Sequence, residues 1–255
     1  MTTTSRWATS GITRPPKLLI YGTHGVGKTT TAAQFPGAMV LRAEDGVAGL
    51  NVPVSPVVST YTEAVGCLSD LFSMPPGTLV VDSIDALESM VWAETCNRLG
   101  VASIEAPGYG KGYTEADLVW LELRRGLTLL NEAGWLIILI AHAQIVQFDD
   151  PATESYSRHV IKLHKRARAL WSEWVDVIGF AHWENTVQSR KGDDKKVRAT
   201  GTGRRAIALQ ESPAYDAKNR YGMPPILPLD ATHLLNALHA GGCPLPAPTA
   251  FTSEV

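Results

Sequence analysis

Apolar runs alternate with amphipathic stretches along most of the chain. Leu18-Leu19-Ile20-Tyr21 predicts a strand that ends on glycine, and 29–35 a helix stopped by Pro36-Gly37. Ala38–Arg42 predicts a second strand. Ala64, Val65, Leu68, Leu71 and Phe72 recur at helical spacing across 61–72. Thr78–Asp82 reads as a buried strand, 86–99 and 115–133 as helices, and 135–141 as the most apolar strand. Strands apolar on both faces and separated by helices predict an α/β fold, a mostly parallel sheet with helices on both faces. Two later strands, 177–188 and 204–209, flank a charged, turn-rich stretch and predict a C-terminal β-hairpin added to that sheet.

At 255 residues, 45% of them apolar and 19% charged, the chain has the length and the core for one large domain. That domain is expected at 15–240, between a flexible polar tail, 1–14, and a flexible Pro-rich tail, 241–255. No run approaches the roughly 20 apolar residues of a membrane span. Residues 1–10 lack the apolar segment of a signal peptide. Cys67, Cys96 and Cys243 show neither metal-ligand nor redox spacing and read as free thiols, so a cytoplasmic location is expected, with no membrane partner. The net charge of −2 conceals an asymmetry. Between Arg158 and Arg220 stand 14 Lys or Arg against 7 Asp or Glu, whereas the rest of the chain has 9 against 18. A basic segment in an acidic chain fits a surface that faces a polyanion; a solvated basic hairpin has the same composition.

Gly22-Thr23-His24-Gly25-Val26-Gly27-Lys28-Thr29 satisfies G-x-x-x-x-G-K-[ST], between a predicted strand and a predicted helix, as a phosphate-binding P-loop requires. Its glycines permit backbone angles closed to other residues, so main-chain N–H groups through Thr30 can wrap phosphates. The helix N-terminus behind them adds partial positive charge. Lys28 is expected to neutralise the β- and γ-phosphates of ATP, and Thr29 to offer its hydroxyl to Mg²⁺. Asp82, a charge at the end of a buried strand and costly there unless used, completes the metal site. Hydrolysis also needs a base for the attacking water. Ser83 follows Asp82, so the acids available are Asp85 and, after the second strand, Glu44.

Ala43-Glu44-Asp45-Gly46 and Val80-Val81-Asp82-Ser83 resemble motifs of the RecA family. Lys218-Asn219-Arg220-Tyr221-Gly222 resembles a motif of its bacterial RadA branch, with Tyr for Phe. The resemblance runs from about Lys17 to Leu229. It points to the short, single-core RecA-like P-loop ATPases of bacteriophages that accompany single-strand annealing recombination. It implies that Glu44 activates water and that His142, after the most apolar strand, touches the γ-phosphate. It implies that Lys218 and Arg220 reach the ATP of a neighbouring subunit, in a ring or filament of identical chains. Two segments would face DNA: 100–114, with Tyr109, Lys111 and Tyr113, and 145–160, leading into Arg158, Lys162, Lys165 and Arg166. If helical, those last four cations share one face by i, i+3 and i+4 spacing, which suits a phosphate backbone. The function implied is a DNA-stimulated ATPase of recombination and repair on single-stranded DNA, with a phage annealing or single-strand-binding protein as a further partner. A ring motor, a small-molecule P-loop kinase and a non-hydrolysing ATP-gated assembly factor are the alternatives.

Overall fold

The computed structural model describes residues 11–46, 49–149, 154–188 and 198–247. Its first half comprises β1 (Lys17–Gly22), α1 (Lys28–Ala32), β2 (Ala38–Arg42), β3 (Val54–Val57), α2 (Tyr61–Asp70), β4 (Thr78–Asp82), α3 (Ile84–Leu99) and α4 (Lys111–Glu132). The second comprises β5 (Leu136–Phe148), β6 (Tyr156–Ile161), α5 (Lys165–Trp174), β7 (Val177–Gln188), β8 (Arg198–Ala208), β9 (Lys218–Asn219), β10 (Ile226–Pro228) and α6 (Ala231–Ala240). The sheet runs β10-β8-β7-β1-β5-β4-β2-β3, with β6 paired to β5 and β9 to β7. From β7 to β3 the pairings are parallel. The β8, β10, β6 and β9 pairings are antiparallel. The expected fold class therefore holds, hairpin included.

The pleat of each strand decides what reaches which face. In β5, Ile137, Leu139 and Ala141 enter a core shared with α2, α3, α4 and α5, while Leu136, Ile138 and Ile140 enter a second core shared with α1 and α6. β1 divides the same way, Leu19 and Tyr21 against Leu18 and Ile20, and so does β4, Leu79 and Val81 against Val80. Even-numbered residues of these strands thus face α1. The larger core is closed by Trp120 of α4 and Trp171 of α5, both fully buried and in edge contact at 5.5 Å between ring centroids.

Several boundaries differ from the sequence expectations. α1 ends at Ala32 and continues only as a turn to Phe35. α4 begins at Lys111 and takes in Lys111 and Tyr113, which had been expected in a loop. β5 runs seven residues past Ala141, to Phe148, and zips onto β6, so much of 145–160 is a hairpin. β3 escapes the pattern because Pro53 and Pro56 interrupt it, as an edge strand tolerates. Packing also continues beyond 240, where Cys243 is buried and its N–H donates to the Leu238 carbonyl.

Glu88 of α3 accepts the His164 N–H just before α5. Burial pushes its carboxyl up to about 7, and the His164 bond opposes this only in part. Between the ordinary glutamate range and about pH 7 the folded chain therefore holds a proton that the unfolded chain has released. Stability from this group falls as pH rises through that window. Glu88→Gln keeps an acceptor for His164 without the charge. Its melting temperature relative to wild type should climb from about pH 4.5 to about pH 7 and then level off. A difference that stays constant across the window would show that Glu88 ionises as an ordinary glutamate.

Candidate functional site

The P-loop links β1 to α1 through left-handed glycines, Gly25 at φ 72° and Gly27 at φ 97°. Gly27 caps α1, so the first helical residue is Lys28, with the helix N-terminus turned to the loop. Val26 is buried beneath the loop and packs with α1. Lys28 is 6% exposed, and its Nζ donates to the carbonyls of Gly22 at 3.1 Å and Thr23 at 3.0 Å. Burial pushes its ammonium down from the ordinary lysine value, against the pull of Asp82, Asp85 and Glu44. An anion in this cleft would relieve that cost.

Thr29 Oγ1 donates to Asp82 Oδ2 at 2.8 Å. Burial raises the Asp82 carboxyl, with the Thr29 bond opposing. A hydroxyl and a carboxylate oxygen in contact are hard donors of the kind Mg²⁺ takes, and Mg²⁺ needs few protein ligands when phosphates supply the others. Among the described residues, no group of three His, Cys, Asp or Glu is arranged to hold a metal unaided. Thr29 and Asp82 therefore fit an ion that arrives with a phosphate.

His142 stands opposite Gly22 in the β1–β5 register, on the α1 side. Its backbone N–H donates to Asp85 Oδ1 at 3.0 Å, and its ring Nδ1 lies 2.9 Å from Asp85 Oδ2. Burial opposes ionisation of Asp85, yet hydrogen bonds from His142 and Ser83 hold its carboxyl below the ordinary aspartate range. With both oxygens engaged and a side chain only 6% exposed, Asp85 is placed to orient His142 rather than to meet water. An ionised Asp85 makes Nδ1 the donor and turns Nε2 to the cleft, 3.9 Å from Glu44 Oε1. That separation exceeds a hydrogen bond. The His142 ring stacks on His24, centroids 3.8 Å apart. Glu44, in the turn after β2, is half-exposed at the rim. His24, Gly25, Gly27, Lys28, Thr29, Thr30, Glu44, Gly46, Asp82 and His142 line one cleft of about 240 Å³. Of the nucleotide and metal residues read from the sequence, His24, Gly25, Gly27, Lys28, Thr29, Thr30 and Asp82 thus converge, together with Glu44 and His142, while Gly22, Thr23 and Val26 lie outside the lining.

Lys218 and Arg220 lie at the other end of the sheet, since β9 pairs with the first residues of β7. Lys218 Nζ donates to the carbonyls of Ser172 at 2.8 Å, Glu173 at 3.1 Å and Val175 at 2.7 Å. These are the last carbonyls of α5, the negative end of the helix. An ammonium has three donors. All three are used inside the subunit, so the expectation that Lys218 reaches a neighbour's phosphate is corrected. Arg220 keeps a side chain 54% exposed and bonds Asp176 at 3.2 Å.

The four-cation helical face is also corrected. Arg158 lies on β6, where Tyr156 to Ile161 pair with the extension of β5. Its guanidinium is buried against Glu211 at 2.6 Å and Asp216 at 3.0 Å. Lys162 falls in the following turn, and only Lys165 and Arg166 are helical. Arg166 is paired with Asp117 at 2.5 Å. Tyr113 stacks on His164 at 4.2 Å. Tyr109, Lys111, Lys162 and Lys165 remain exposed. Tyr109 stands wholly in solvent at φ 49°, between Gly108 at φ 70° and Gly110 at φ 72°.

Two side chains hold positions at the site that the sequence does not indicate. Asp85 was weighed only as a base, although its place on the first turn after Asp82 was the available signal. Arg205 of β8 brings Nη1 to 3.4 Å from the Val26 carbonyl. No spacing rule connects it to the P-loop; the β7–β8 pairing carries it there.

No curated protein matches the chain. Among solved structures, a KaiC-like protein from the hyperthermophilic archaeon Pyrococcus horikoshii OT3 is similar at 15% identity, over 80% of this chain and 82% of that one, with a TM-score of 0.42. A family model described as an AAA domain matches residues 14–221, from before β1 to past β9. The chain belongs to this family of AAA-type P-loop domains.

Proposed function

We propose that the chain is a Mg²⁺-dependent ATPase that acts on single-stranded DNA as a homo-oligomer. The observation that carries the catalytic half is the convergence of Lys28, the Thr29–Asp82 pair, Glu44 and the Asp85-held His142 on one cleft. Lys28 and the P-loop N–H groups hold the β- and γ-phosphates. Thr29 and Asp82 hold Mg²⁺, which supplies charge neutralisation on the phosphate oxygens. Glu44 takes a proton from water as its oxygen bonds the γ-phosphorus and the bond to the bridging β-phosphate oxygen breaks. His142 Nε2 touches the γ-phosphate and registers its departure.

The DNA half rests on the loop before α4. Tyr109 holds a left-handed conformation that costs energy for a residue with a side chain. Lys111 is a cation at the positive end of a 22-residue helix, where it does not favour folding. A ring for a base and an ammonium for a phosphate account for both. The first turn of α4, which follows that loop, is also tied to the cleft. Asp85 and Glu88 are a turn apart on α3, Glu88 bonds His164, and His164 stacks on Tyr113. Arg220, facing outward, is the cation available to a neighbour's phosphate. A phage origin and an annealing or single-strand-binding partner follow from the RecA-like resemblance alone.

Lys28→Met removes a buried charge but keeps the volume. It should melt no lower than wild type and lose ATP binding, read by calorimetric titration; near-normal binding by the folded variant would refute the nucleotide site. Glu44→Gln should bind ATP normally and hydrolyse it about 10²–10⁴-fold more slowly. Wild-type turnover that is undetectable with and without single-stranded DNA would instead favour a non-hydrolysing assembly factor. Tyr109→Ala should weaken single-stranded DNA about tenfold whatever its sequence, by fluorescence anisotropy, and reduce DNA stimulation of turnover. Unchanged affinity would take this loop off the DNA surface.

A further inference from the structure

We propose that Trp183 and Arg205 form the nucleobase platform of the ATP site, stacking the adenine of a nucleotide whose phosphates lie in the P-loop. The inference rests on the P-loop reading above. Trp183 of β7 and Arg205 of β8 are direct partners in the antiparallel register. Directly opposed residues project to the same face, with Cβ atoms roughly 5 Å apart. Parity fixes which face. Val177 and Ala181 of β7, and Ile207 and Leu209 on and after β8, belong to the core shared with α1 and α6. Trp183 and Arg205 are odd-numbered like them and extend that face past the end of the core. Arg205 confirms the side, since its Nη1 lies 3.4 Å from the Val26 carbonyl and a Cβ on Gly27 would collide with it. The arrangement is braced. Leu229 N–H donates to the Arg205 carbonyl at 3.0 Å, and the Thr31 hydroxyl of α1 donates to the Leu229 carbonyl at 3.5 Å.

The direction of the nucleotide follows from the sheet order. Asp82, His142 and Glu44, which meet the γ-phosphate end, belong to β4, β5 and the turn after β2, all on one side of β1. A triphosphate running from them over Lys28 leaves the loop on the other side, where β7 and β8 lie. Arg205 is absent from the lining of the phosphate cleft and meets the loop from β8, at Val26 and Gly27. A half-exposed indole, 42% exposed, beside an exposed guanidinium offers two flat faces to a flat ring there. Stacking of this kind holds a purine without reading its edge.

Binding of ATP and of inorganic tripolyphosphate, each with Mg²⁺, separates base from phosphate. Trp183→Ala and Arg205→Ala should each weaken ATP about tenfold and leave tripolyphosphate unchanged. Trp183→Tyr, which keeps an aromatic face, should restore most of the ATP affinity. Equal losses for both ligands, or no loss for either, would overturn the platform. Lys28→Met is the separate control: it should weaken both ligands, and if it weakens neither, the P-loop reading fails rather than the platform alone.

Discussion

A sheet buried on both faces leaves each strand residue only one of two directions, and that two-residue alternation organises the whole molecule. It sends Leu18, Ile20, Val80, Ile138 and Ile140 under α1, and their odd-numbered neighbours under α2 to α5. The same count carries on to the strand ends, where apolar residues give way to Gly22, Asp82 and His142 on the α1 side. β5 lies between β1 and β4, so His142 is delivered between the P-loop and Asp82. A one-residue slip in β5 would bury His142 in the other core and turn Ala141 to the cleft.

Charge crowding is the second constraint. Lys28, Asp82 and Asp85 are all largely buried, and burial works against ionisation of each. Only at Asp85 is burial outweighed, by hydrogen bonds from His142 and Ser83 that hold its carboxyl below the ordinary aspartate range. Lys28 and Asp82 stay strained until a phosphate and a cation supply the missing opposite charges. A cleft of this kind is more stable loaded than empty, and its ligand affinity draws on that difference. The contacts from Asp85 along α3 to His164 and Tyr113 are contiguous.

The P-loop, Asp82 and the strands β1, β2 and β4 were legible because local sequence decides them: a glycine pattern, a strand-end acid, unbroken apolar runs. Glu44 was one of two acids that the strand ends offered, and resemblance alone chose it over Asp85; His142, which stands in no local pattern, was singled out only by resemblance. The helical face conditionally expected for Arg158, Lys162, Lys165 and Arg166 does not form, for a physical reason. Helical spacing of cations is equally available to a strand followed by a turn and a helix, and long-range pairing with β5 decided between them. Lys218 failed similarly, because the carbonyls it serves belong to a helix more than forty residues earlier in the chain. The Trp183–Arg205 juxtaposition depends on cross-strand register, which no local pattern encodes.

Asp176 is 7% exposed and is held twice, by Lys17 Nζ at 2.7 Å and by Arg220 Nη1 at 3.2 Å. The Lys17 backbone N–H adds a third bond to the same carboxylate at 3.0 Å. A buried carboxylate stripped of its sole counterion would be severely penalised. Here one arm of the clamp is exposed and the other is not, with the Arg220 side chain 54% accessible and that of Lys17 only 18%. Arg220 can therefore swing outward while Lys17 keeps Asp176 neutralised. The guanidinium is parked rather than anchored, and its release leaves behind no orphaned charge.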